Sequence, residues 1–182
     1  MRKLISALFL VLNSCAVAGL IPWRETKPLL DISEGVKMYD FRLSFINREI
    51  EGLLLVTRNE ESRPRLVLTS HFGISLFDLE GTADGYRVHY VIDFLDRDKA
   101  LDLLWDDFLL LTAPSVVDAT VQGLDAQRNV ALVRTGSGIR KTVVRAGGYS
   151  RGFPDNIQIS HPRLQLSFYI NMTQDAQKSL LH

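Results

Sequence analysis

The stretch RLVLTSHFGISLFDLEGTADGYRVHYVI, Arg65–Ile92, decides how this chain folds. It holds three alternating apolar runs: Leu66/Leu68, Phe72/Ile74/Leu76 and Tyr86/Val88/Tyr90/Ile92. Glycine breaks divide them at Gly73 and at the turn from Gly81 to Gly85. A period of two places alternate side chains on one face, and the turn residues fold the ribbon back on itself. The expectation is an antiparallel sheet whose apolar face needs a cover. The parity changes between Leu76 and Phe77, so a bulge is expected there.

The residues that follow supply the cover. Leu101, Leu104, Trp105, Phe108 and Leu111 form one helical stripe within Asp96–Thr112, with Asp96 or Asp98 as N-cap and Pro114 as the stop. Upstream, Tyr39, Phe41, Leu43 and Phe45 alternate with polar residues, and Ile50–Val56 forms a second strand after a turn at Asn47-Arg48. Gly52 suggests a bulge or bend, and Leu53–Val56 is apolar on both faces. Downstream, Ser115–Ala126 reads as a connector. Strands follow at Val130–Val133, Ile139–Arg145, Ile157–Ser160 and Leu164–Ile170, with a loop over Gly147–Asp155, a break at His161-Pro162, and a short helix over Thr173–Leu181. The fold class is α+β: a curved antiparallel sheet with one main amphipathic helix on its concave face.

The 182 residues suffice for one domain with a sizeable core, and 46% apolar with 23% charged residues is the composition of a folded protein. With 21 basic and 21 acidic residues the net charge is zero, which argues against a nucleic-acid partner. The acidic and mixed runs Asn59–Glu61 and Asp96–Lys99 read as solvated turns and a helix start.

Cys15 is the single cysteine, which excludes an intramolecular disulfide and a thiolate cluster. It follows a positive Met1-Arg2-Lys3 and an apolar Leu4–Leu12, the layout of a secretory leader. Leu12-Asn13-Ser14-Cys15 resembles a bacterial lipobox, which implies a signal peptide over 1–14 and an acylated Cys15. Ala16 after the cysteine resembles outer-membrane sorting. Cleavage after Ala18 or Gly19 and an uncleaved anchor remain alternatives. Residues 15–35 lack a period and contain two prolines, so a tether is expected, with Trp23 at the lipid headgroups or on the domain edge.

No catalytic signature appears. Ser70 adjoins His71 but points to the opposite sheet face, and no G-x-S-x-G elbow accompanies it. His89, His161 and His182 lie in no H-x-x-x-H, and Asp96-Arg97-Asp98 lacks the remainder of a calcium loop. Thr135–Thr142 lacks Walker spacing, so Gly136-Ser137-Gly138 is hairpin chemistry. Asn171-Met172-Thr173 fits a glycosylation sequon, without meaning in a bacterial chain. A protein that is not an enzyme, with no metal and no cofactor, is expected.

The lipobox, Arg65-Leu-x-Leu-x-Ser70-x-Phe72-Gly73-x-x-Leu76-Phe77-x-Leu79 and the helix end Asp107-Phe108-Leu-Leu110 together resemble the LolA/LolB-like outer-membrane lipoproteins, over about residues 36–172. That resemblance implies an unclosed half-barrel plugged by helices, forming a single domain over 36–182. It implies a lipid-anchored envelope protein, on the outer membrane facing the periplasm, that accepts an acyl chain or other hydrophobic ligand from a periplasmic carrier. Phe41, Leu43, Leu54, Leu66, Leu68, Phe72, Tyr86, Val88, Leu101, Trp105 and Phe108 would line its apolar cavity. LolB also has an exposed apolar loop tip for membrane insertion, whereas the turns Asn59–Pro64 and Gly81–Gly85 are polar here. The alternative is a structural or partner-binding subunit of an envelope complex, with a filled core and no ligand.

Overall fold

A computed structural model describes residues 21–33, 35–46 and 48–173. The expected leader, Cys15 and, beyond Thr173, the C-terminal helix lie outside the described residues. The strands are β1 (Ile21–Pro22), β2 (Lys37–Phe45), β3 (Arg48–Arg58), β4 (Pro64–Thr69), β5 (Ser75–Gly81) and β6 (Tyr86–Val91). After the helix α1 (Asp98–Thr112) come β7 (Thr120–Leu124), β8 (Val130–Thr135), β9 (Thr142–Ser150), β10 (Phe153–His161) and β11 (Leu166–Met172). All eleven strands form one curved, unclosed sheet in the order β1-β7-β8-β9-β10-β11-β2-β3-β4-β5-β6. Every pairing is antiparallel. The meander β2–β6 precedes the helix and β7–β11 follows it, the second half closing on the first where β11 pairs with β2.

Alternation explains the core. Tyr39, Phe41 and Leu43 of β2, Leu54 and Val56 of β3, Leu66 and Leu68 of β4, and Phe77 and Leu79 of β5 all point inward and are buried. The helix lays Leu101, Leu104, Trp105, Phe108 and Leu111 against them. Phe108 is central, its ring 6.4 Å from Phe41 and 6.1 Å from Phe77. Each such side chain, fully buried, contributes roughly 1.5–3 kcal/mol. Trp105 crosses toward the β6 edge, where its indole passes so close to Gly81 that a Cβ there would lie 3.3 Å from the ring.

Several expectations need correction. Leu68 pairs with Phe77 and Thr69 with Ser75, so Leu76 is the extra residue and the expected bulge is real. Phe72 and Ile74, however, belong to no strand; they form the tip of the β4–β5 turn. Their apparent alternation is a coincidence of turn residues. Gly52 carries no bulge, since β2 and β3 pair through it in regular register. A Cβ there would stand 2.1 Å from the Thr69 carbonyl oxygen, so its requirement is close backbone approach. The Gly147–Asp155 loop is mostly strand, with β9 and β10 meeting at a tight Arg151-Gly152 turn. The connector at Ser115–Ala126 contains β7, hidden in the sequence because bulges at Gln122 and Ala131 break its pairing with β8. Neither acidic candidate is the N-cap of helix α1: Arg97, between them, takes that position, and Asp98 lies in the first turn.

The tether is the largest correction. Trp23, Leu29 and Leu30 are fully or almost fully buried, so residues 21–33 belong to the domain. Their purpose is visible at the end of α1, where the last carbonyls lack helical partners. The Trp23 indole N–H donates to the Leu110 carbonyl at 3.0 Å. Backbone N–H groups of Leu29 and Leu30 donate to the Leu111 carbonyl at 2.9 and 3.2 Å. The N-terminal strap therefore caps the helix and holds it on the sheet.

Candidate functional site

Of the residues expected to line a cavity, Phe41, Leu43, Leu54, Leu66, Leu68, Leu101, Trp105 and Phe108 come together as one buried cluster. The helix side chains fill the concave face there. Tyr86 is at the margin, half-buried, its ring 5.3 Å from Trp105 and its hydroxyl donating to Asp102 at 2.8 Å. Burial and the neighbouring Asp102 push that phenol up to about 12. Phe72 and Val88 do not join. Phe72 is 92% exposed at its turn tip, and Val88 is exposed on the edge strand β6, where an extra residue at His89 shifts the phase. The apolar turn of the sheet is thus neither Asn59–Pro64 nor Gly81–Gly85 but Ser70–Ile74, which was read as part of a strand and presents Phe72 and Ile74 to solvent.

Open space lies beside the helix. A groove of about 640 Å³ runs between the outer flank of α1 and the β8–β9 turn. Its walls are largely apolar, with Leu103, Leu109, Leu110, Val117, Ile139 and Leu164 among them. Lys99 and Arg140 stand with Asp102, Asp106 and Asp118 around it. Burial, together with Asp102, raises the Asp106 carboxyl, and Arg140 opposes that. The volume falls within the roughly 300–1,000 Å³ of small-molecule sites.

The turns β2–β3, β4–β5, β8–β9 and β10–β11 emerge at a common end of the sheet, as antiparallel neighbours require. Ile46, Phe72, Ile74 and Ile139 are all more than half exposed on those turns. The groove reaches that same end, where Gly136, Ile139, Arg140 and Leu164 are among its lining residues.

At the groove floor lie Asp107 and Thr142. Behind them the His161 ring is wholly buried, its Nε2 2.7 Å from an Asp107 carboxylate oxygen and its Nδ1 3.3 Å from the Thr142 hydroxyl. Burial pushes the Asp107 carboxyl up, and the His161 hydrogen bond pulls it the other way. Phe168 meets the imidazole edge-on at 6.1 Å. This pair joins α1 to β10. No motif marks this pair, but the sequence carries signals for it: Asp107 lies three residues from Leu104 and Leu110 within the apolar helix, and His161 shares parity with inward Ile157 and Ile159. Trp105 Nε1 is buried with no hydrogen-bond partner among the described residues.

Among the described residues no three His, Cys, Asp or Glu side chains are placed to hold a metal ion, and no helix is long and apolar enough to cross a membrane. Comparison with models of protein families finds no match for this chain, and comparison with curated protein sequences finds none either.

Proposed function

We propose that this protein binds an acyl chain or similar hydrophobic ligand, taken from a membrane surface and held without covalent chemistry. It acts as a lipid-anchored envelope protein, tethered through Cys15 and facing the periplasm from the outer membrane, in the manner of LolB. The groove beside α1 is the entry. The helix is a displaceable plug, joined to the sheet by side chains and the N-terminal strap. One observation carries this reading: the apolar groove is lined in part by the turns at the end of the sheet that bears exposed Ile46, Phe72, Ile74 and Ile139. Large apolar side chains gathered around an opening mark a surface for lipid or a partner. A periplasmic carrier delivering acyl chains would meet the same end.

The test is uptake of the fluorescent probe N-phenyl-1-naphthylamine by purified protein. Saturable binding that phospholipid displaces is expected. Probe fluorescence no greater than with a folded control protein would refute the reading. The filled concave face favours a second reading, a partner-binding subunit with no ligand, and the same null result would support it.

A further inference from the structure

The helix would cover an apolar sheet face well enough with apolar residues alone, yet it carries Asp107 into that face. Among the described residues the only titratable groups buried in the core are Asp107, His161 and the phenol of Tyr39. Replacing a buried charged pair by well-packed apolar residues is often neutral or stabilising, so stability alone does not account for this one. Its location suggests another role. Asp107 and Thr142 form part of the groove floor, and Thr142 holds the imidazole through Nδ1 so that Nε2 is aimed at the carboxylate. When that carboxylate is ionised it only accepts hydrogen bonds, and Nε2–H is then the donor. The groove leading to this point has apolar walls from Leu103, Leu110, Val117 and Ile139.

We infer that His161 is a head-group site for a long-chain carboxylate, and that Asp107 occupies it as an internal stand-in when no ligand is bound. A fatty acid lays its chain along the groove, and its carboxylate replaces that of Asp107 on His161 Nε2. Asp107 withdraws with a shift of α1, which couples ligand binding to release of the plug. The site then selects free acids over esters, which cannot offer an anionic acceptor. The inference rests on the hydrophobic-ligand reading above and adds the ligand's chemical class.

The experiment compares cis-parinaric acid with its methyl ester, by fluorescence titration of the purified protein. Acid binding at least about tenfold tighter than ester binding is expected, the ratio one charge-assisted hydrogen bond supplies. Asp107→Asn, which retains a hydrogen-bond acceptor for His161 but removes the competing charge, should raise the preference for acid over ester. The double variant Asp107→Leu/His161→Phe replaces the pair with apolar groups and so is expected to fold. It should lose the preference for acid over ester. Equal binding of acid and ester by the wild type, or an undiminished acid preference in the double variant, overturns the His161 site while hydrophobic binding stands. Binding of neither probe overturns both.

Discussion

Replacing Trp23 with alanine tests whether the N-terminal strap belongs to the fold. The side chain is fully buried and its indole N–H caps the Leu110 carbonyl at 3.0 Å. Truncating a buried tryptophan costs about 3–5 kcal/mol. A typical domain has a total stability of about 5–15 kcal/mol, so this is a large share. In a chain of this size it corresponds to a fall in Tm of roughly 6–20 °C. Trp23→Phe separates the two contributions. It keeps most of the packing and leaves the Leu110 carbonyl without its donor, a loss of about 1–3 kcal/mol. Urea denaturation followed by circular dichroism measures both variants. A Trp23→Ala loss below about 1 kcal/mol, the range of ordinary surface substitutions, would mean that residues 21–33 are only a tether and that α1 is not capped by them.

Phe72→Ser should leave stability within about 0.5 kcal/mol, since the side chain is exposed; it should weaken binding to anionic phospholipid vesicles in a flotation assay, and unchanged flotation would count against the membrane-facing end. Asp107→Ala leaves His161 buried without its partner and should cost about 3–5 kcal/mol by denaturant unfolding, whereas Asp107→Asn should cost much less. The Asp107 carboxyl is raised above its ordinary 3.8 by burial, with His161 of β10 and Asp106 of its own helix as the neighbouring ionisable groups. Its folded form therefore holds the proton more tightly than the unfolded chain. That contribution to stability is complete below pH 3.8 and is lost as pH rises through the higher folded value. Wild type should accordingly lose stability relative to Asp107→Asn as pH rises through this window, and a constant difference would contradict the assignment. Gly52→Ala should cost about 1–3 kcal/mol or more, because the added Cβ would stand 2.1 Å from the Thr69 oxygen; a melting temperature equal to wild type would show that this crossing relaxes freely.

The parts of the fold that were legible in the sequence are those governed by local periodicity. Tyr39/Phe41/Leu43 and Leu66/Leu68 alternate because one sheet face is buried, and Leu101 through Leu111 repeat at helical spacing because one stripe is. What was hidden depends on long-range partners. Trp23 lies between Pro22 and Pro28 and Leu30 just after Pro28, in short fragments with no period, and their role exists only because the end of α1 needs donors. Strand β7 escaped notice because two bulges interrupt its pairing. Phe72 and Ile74 mimicked a strand by chance of parity. The candidate site was the least legible part: Asp107 and His161 are 54 residues apart, and only the closing of β10 and β11 onto the first half of the sheet brings them to 2.7 Å.

Native mass spectrometry of the purified protein is the most direct measurement of hydrophobic carriage. The account predicts a population heavier than the polypeptide by the mass of one lipid-class molecule, which exchanges for added fatty acid and is removed by delipidation. A single species at the polypeptide mass, including any covalent acylation, that takes up no added lipid would contradict it.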